Sequence, residues 1–277
     1  LRVPEERPGV LHGDLQGPFP ASIQGYHYVL FVIDEFSRYG WVRFMKKKSE
    51  ASAEMALIIA EFNATVGTPL DENGAPLPRP TAHTIRFDHE GAIMSNKFKA
   101  FRADEQLHAT LSPPHDHDLN PIAERMIGVI AANATASFQF TKAPIGLWPY
   151  FIRNSMNIHN SVPSSVGSSV SDPAISPHQR FQLKLPKVMD LLPMGSRTVF
   201  LKPNPNMSKG TLSNRGYVGQ WLGRSSKSVD SYEVWADGKV MDGSSVMVDE
   251  EYFPWLGKDA FQPITSSHLP KKTIVEE

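Results

Sequence analysis

The sequence predicts an α/β fold, a mixed five-stranded sheet with flanking helices followed by a small β-rich C-terminal module, and three observations predict it. Three apolar runs between residues 10 and 44 are strand-like and follow one another across short turns. From residue 49 to about 160, helical and strand periodicities alternate. Beyond residue 191 only short β-branched runs remain, separated by Gly, Asn and Ser turns. A chain of 277 residues has room for a core of about 150 to 170 residues plus a second compact part. The expected boundaries are 8–165 for the core, 166–190 for a linker, 191–256 for the β-rich module and 257–277 for a tail without fixed structure.

Residues 10–16 (VLHGDLQ) form the first expected strand, which ends at the Gly17-Pro18 turn. The run 28–34 is continuously apolar and 39–44 alternates, so the two make a hairpin around Glu35-Phe36-Ser37-Arg38. Ser49 is the expected N-cap of a helix reaching about Val66, with Met55, Ile58, Ile59 and Phe62 on its buried face. Residues 67–80, rich in Pro and Gly, are too broken for core, and Thr84–Phe87 resumes a short strand. Ser95 is expected to cap a helix bearing Phe98, Phe101 and Leu107, followed by a strand at 108–111 and a loop at 112–119. Asn120 as N-cap and Pro121 at the first position start a helix towards Phe140, with Ile122, Met126, Val129 and Ile130 facing the core. A further helix covers roughly 147–159, and residues 161–179 read as a Ser/Pro/Gly linker. In the C-terminal part, strands are expected at 198–201, 217–222, 232–235, 239–241 and 245–249.

Three acidic residues stand out against this frame: Asp14 on the first strand, Asp88 at the end of the fourth, and Glu124 in the first turn of a capped helix, off its apolar stripe. Three carboxylates converging from separate elements make the hard oxygen donor set that holds Mg²⁺. Thirty-five residues separate Asp88 from Glu124, but with 29 acidic residues in 277 roughly three pairs are expected at any separation, so context must carry the specificity.

Composition narrows the classes. No stretch is apolar enough to span a membrane. There is no cysteine, which excludes disulfides and thiolate zinc sites within these residues. A formal charge of −1 argues against a uniformly basic nucleic-acid-binding surface, leaving local clusters. Lys97, Lys99 and Arg125, flanking the acids, are the better candidates for DNA contact, ahead of the strand-end run Lys46-Lys47-Lys48. Asp34 reads as a hydrogen-bonding partner of Arg38 or of a nearby backbone N–H. His12 reads as a satisfied core residue, or one that supports the ligands from behind, rather than a metal ligand, and as facing away from Asp14. The His115-Asp116-His117-Asp118 segment reads as a solvated loop rather than a zinc site, and Trp221, Trp235 and Trp255 as packing for the β-rich module.

The context is a set of motifs in order. Leu11-His12-Gly13-Asp14-Leu15-Gln16-Gly17-Pro18, Val32-Ile33-Asp34-Glu35-Phe36-Ser37-Arg38, Ile122-Ala123-Glu124-Arg125-Met126, Leu147-Trp148 and Asn160-Ser161-Val162-Pro163 resemble the integrase region of Ty1/copia-type retrotransposon polyproteins. Gly216-Tyr217-Val218-Gly219 and the segment 244–250 (SSVMVDE) resemble the stretch that precedes reverse transcriptase in them. The resemblance runs from about Leu11 to about Phe253 and implies an RNase H-like core with a D,D-35-E site. It implies Mg²⁺ or Mn²⁺, two ions held by Asp14, Asp88 and Glu124, and a polynucleotidyl transferase that processes 3′ ends and joins element DNA to target DNA. It further implies a homo-oligomer, a fragment of a longer polyprotein with a zinc-binding module upstream and a reverse transcriptase downstream, and action in the nucleus after assembly in a cytoplasmic virus-like particle. The chain departs from the family pattern at His89, Pro121 and Gly128, the last where a basic residue is common. A non-catalytic copy that binds DNA or protein, and an RNase H-like nuclease that cuts without joining, remain as other readings of the same residues.

Overall fold

A computed structural model describes residues 7–87, 96–111, 121–163, 175–187, 191–201, 216–225 and 231–256. The chain divides into two compact units, one of Leu1–Ala136 and Pro144–Leu191, the other of Ser137–Ala143 and Leu192–Glu277. Among the described residues no helix is long and apolar enough to cross a membrane.

The first unit holds strands β1 (Val10–Gln16), β2 (Tyr28–Asp34), β3 (Gly40–Met45), β4 (Thr84–Phe87) and β5 (His108–Leu111). Their order in the sheet is β3-β2-β1-β4-β5. β1 is antiparallel to β2 and parallel to β4, so it is central and changes the sense of the sheet. That mixed order, with helices between the later strands, is the RNase H-like arrangement expected from the sequence. Every residue of β2 after Tyr28 is buried, which is why the run carries no polar alternation.

Helix α1 (Ala51–Thr65) lays Met55, Ile58, Ile59 and Phe62 into a core with Leu11, Leu30, Val32, Ile85 and Phe87. Ser49 is not its N-cap. It sits in a 3₁₀ turn, Lys48–Glu50, and the Glu50 carboxylate reaches back to accept from the Lys46 N–H at 3.1 Å, a turn closure that the Ser49 expectation overlooked. Helix α2 (Asn96–Asp104) adds Phe98 to the same core, while Ser95, its expected cap, lies outside the described residues.

Helix α3 (Pro121–Thr141) buries Met126, Ile127, Ile130 and Ala134. Val129, expected on that face, is 47% exposed and Ile127 is 3% exposed. The inward stripe therefore follows i, i+1, i+4, i+8 from Met126; Met126 and Ile130 face inward as expected, and Ile127 takes the place expected for Val129.

Helix α4 (Trp148–Ser161) packs on β3 and fastens it by polar contacts. The buried Asn160 side chain pairs with both backbone groups of Gly40: Oδ1 accepts from its N–H and Nδ2 donates to its carbonyl, each at 2.8 Å. β3 is an edge strand, so these bonds satisfy groups that have no ladder partner. At the other end of α4, Trp148 stacks on Phe19 at 4.9 Å and donates to the Pro20 carbonyl at 2.8 Å, tying the segment after β1 to this helix.

His159 Nε2 donates to the Arg38 carbonyl at 2.9 Å, and burial, outweighing that bond, pushes its pKa below 6.5. A base depressed on folding stabilises the fold above its unfolded value and loses that contribution as pH falls through the folded one. His178, half-buried beside Tyr39, is depressed for the same reason. Urea denaturation from pH 7.5 to 5.5 is expected to show stability falling on acidification, with a shallower slope in His159→Gln. Equal slopes would exclude the histidine as a cause.

Residues 166–190, expected as a linker, contain a fifth helix, α5 (Pro177–Gln182). Ser176 is its N-cap, the hydroxyl accepting from the Gln179 N–H at 3.1 Å, and Phe181 is fully buried in the core of the first unit. The stretch is thus partly structure, and the unit continues to Leu191 rather than ending near residue 165.

The second unit is a closed antiparallel barrel of β6 (Arg197–Leu201), β7 (Gly216–Arg224), β8 (Tyr232–Ala236) and β9 (Lys239–Asp249). Phe200, Val234, Ala236 and Met241 form its core, and closure leaves no unpaired edge. The sequence suggested two strands where β9 is one. Its Gly-Ser-Ser stretch is a bulge: Ser245 has φ +55°, and the register shifts so that Phe200 pairs with Val246 and Leu201 with Ser244. The expected tail, 257–277, lies outside the described residues.

Candidate active site

Asp14 stands near the C-terminal end of β1, half-buried, opposite Phe31 of β2, with Oδ1 accepting from the Leu15 N–H at 2.8 Å. The residue before it is glycine for a steric reason. A side chain at Gly13 would run into the ring of Phe87, its register partner on β4. The two strands come together there, so the end of β4 lies beside Asp14. Asp88 is the next residue of the chain and lies outside the described residues. Glu124 is in the first turn of α3 and exposed, as is Arg125.

Of the three candidate acids, Asp14 and Glu124 are described, and their carboxylates are the hard oxygen donors that suit Mg²⁺. Among the described residues no group of three His, Cys, Asp or Glu side chains is gathered closely enough to hold a metal; Asp88 is not among them. Lys99 is exposed on α2, the Lys97 side chain is outside the described set, and Lys46, Lys47 and Lys48 are all exposed. The His115 to Asp118 segment also lies outside. Trp221 is fully buried in the barrel and Trp255 packs against Gly195 within the same unit, as expected for packing residues.

His12 is completely buried, but not opposite Asp14. Two residues apart on one strand, the two side chains project from the same face of the sheet. His12 Nε2 lies 2.9 Å from Glu35 Oε2, and Arg86 Nη1 donates to that oxygen at 2.7 Å. Sequence reasoning missed this cluster: that His12 and Arg86 each stand two residues before a candidate acid places them on the same face as those acids, but nothing in the sequence brings Glu35 to them. Asp34, the neighbour of Glu35, is structural as expected, its carboxylate bonded to nearby backbone N–H groups, those of Gly9 and Ser37. Its Oδ1 accepts from the Gly9 N–H at 2.8 Å, and its Oδ2 from the N–H and hydroxyl of Ser37 at 2.8 and 2.6 Å.

No family model matches the chain. Among curated proteins it is 25% identical over 156 residues, 56% of its length, to the retrovirus-related Pol polyprotein from transposon TNT 1-94 of Nicotiana tabacum. It is 22% identical over 147 residues, 52% of its length, to the retrovirus-related Pol polyprotein from transposon RE2 of Arabidopsis thaliana. The matched regions cover 11% and 9% of those proteins, so the chain spans about a tenth of the relatives' length. Solved structures that it resembles include a chain of a simian T-cell lymphotropic virus intasome in complex with PP2A regulatory subunit B56 gamma (13% identity, TM-score 0.46, 86% of this chain and 76% of that one). Another is the HTLV-2 integrase catalytic core domain in complex with magnesium (16% identity, TM-score 0.41, 63% of this chain and 97% of that one). The chain is thus related to the retrovirus-related Pol polyproteins of plant transposons, the kind of protein that its ordered sequence motifs resemble.

Proposed function

We propose that the chain carries the catalytic core of a retroelement integrase, a metal-dependent polynucleotidyl transferase that processes DNA 3′ ends and joins them to target DNA. The observation that carries the reading is the position of Asp14: on the central strand, at the level where parallel β4 ends beside it, in a chain whose homologues are transposon Pol polyproteins. The strand that carries it is laddered to β2 through Gln16 and to β4 up to Gly13, one residue before the acid, and rigid placement is what in-line phosphoryl transfer requires of a metal ligand.

Asp14, Asp88 and Glu124 would hold the divalent ions, which when bound supply charge stabilisation at the phosphodiester and an activated attacking oxygen. The chain's own groups do the rest. Asp14 provides a fixed carboxylate and Glu124 an exposed one at a helix start. Lys99 and Arg125, both exposed, are available to neutralise phosphates, which makes binding salt-dependent. DNA ends, target DNA and further copies of this chain are the partners, the nucleus the place of action, and an upstream zinc-binding module and a downstream reverse transcriptase the neighbours in the polyprotein.

With Mg²⁺ and oligonucleotides of the element's ends, the purified protein is expected to form strand-transfer products. Asp14→Asn, Asp88→Asn and Glu124→Gln should each lower the rate by a thousandfold or more, on the order of the cost of deleting a group that acts as part of a catalytic unit. Products persisting in all three variants would sink the assignment. Cutting without joining would instead indicate a nuclease.

A further inference from the structure

We propose that Glu35 is a positioning residue for Asp14, acting through His12 and Arg86; this rests on the reading of Asp14 as a metal ligand. Glu35 follows the last residue of β2 and is 6% exposed. Its Oε2 meets His12 Nε2 at 2.9 Å and accepts from Arg86 Nη1 at 2.7 Å. His12 belongs to β1 and Arg86 to β4, and they are register partners across the parallel pair, their nitrogens 3.5 Å apart. One carboxylate oxygen therefore joins the central strand, its antiparallel neighbour and its parallel neighbour at a single level of the sheet.

That level is one step from Asp14. Two residues along a strand are about 7 Å and return to the same face. The cluster thus lies directly behind the candidate ligand on its own side of the sheet. Backbone ladders hold strands together but tolerate small sliding and twisting. A buried carboxylate with two directional partners on different strands restricts both, because displacement breaks short polar contacts to a group that is 6% exposed. Metal ligation is sensitive to such displacements, since ligands must be held within about 0.5 Å of their working geometry. An apolar trio could fill the same space at lower desolvation cost. What the polar trio adds is direction.

The test uses the full chain and Mn²⁺ alone, with binding followed by electron paramagnetic resonance and calorimetry, and stability by urea denaturation. Asp14→Asn is expected to abolish the tight binding. Glu35→Gln should weaken it about tenfold to a hundredfold, the usual cost of losing a group that orients a ligand. Glu35→Gln combined with Arg86→Met also removes the half-buried guanidinium that loses its carboxylate, so stability is expected to recover towards wild type while Mn²⁺ affinity stays at least about tenfold weaker. If that double variant bound Mn²⁺ like the wild type while Asp14→Asn did not bind, Glu35 would be structural only and the proposal overturned. If wild-type binding proved independent of Asp14, the metal-site reading would fall, and the positioning role with it.

Discussion

Phe181→Ala is expected to destabilise the first unit by about 3–5 kcal/mol, the range for removing a fully buried aromatic side chain. The ring is enclosed by other rings: it stacks on Tyr39 at 4.7 Å and meets Trp41 and Phe62 edge-on at 5.2 and 5.0 Å. Truncation would leave a cavity lined by three rigid aromatics, two of them on or beside an edge strand that cannot collapse inward without losing its ladder. The backbone is committed as well, since the Phe181 carbonyl accepts from the Gly67 N–H at 2.9 Å just after α1. Phe181→Leu should cost less, because it refills part of the volume. Urea unfolding of the full chain, followed through amide hydrogen exchange in α1 and β3, measures both. A loss below about 1 kcal/mol in the alanine variant would mean that residues 177–182 are an attached segment rather than part of the core.

That result bears on how much of the fold was legible beforehand. The strands and long helices of the first unit were readable from their apolar runs and helical spacing, and β2 because burial on both faces leaves an uninterrupted apolar run. α5 was not, since a six-residue helix has too few turns to show a period. Its Ser176-Pro177 start signal lay within a Ser/Pro-rich stretch that reads as linker on composition. β9 was divided in two because Gly-Ser-Ser marks turns and bulges alike, and only a partner strand distinguishes them. At the candidate site, Asp14 and Glu124 were readable from their positions on elements. The His12–Glu35–Arg86 cluster was not, because it joins residues 23 and 51 apart, and sequence periodicity reports which face a residue takes but not what stands opposite.

Asp34→Ala is the second substitution with a large expected effect, about 2–5 kcal/mol, and its sign is a contest between two terms. The carboxylate is fully buried, and burial raises its pKa despite the hydrogen bonds from Ser37 and Gly9 that favour the ionised form. Removing it therefore relieves a desolvation penalty. Against that, alanine orphans the Gly9 and Ser37 N–H groups, each costing about 1–3 kcal/mol when buried without a partner. Those two groups lie at the entry to β1 and in the turn from β2 to β3, so the loss loosens the end of the sheet at which the central strand starts beside the close of β2. Orphaning wins. Asp34→Asn keeps the shape but turns an amide towards donors on one side, and should fall between wild type and alanine. The pH dependence separates the two terms. An acid raised on folding contributes stability that is full below its unfolded value of 3.8 and is lost as pH rises through the folded value. The stability gap between wild type and Asp34→Asn should therefore widen as pH is lowered from 7 towards 4, whereas a gap that narrows on acidification would mean that the carboxylate is stabilised, not strained, by its burial.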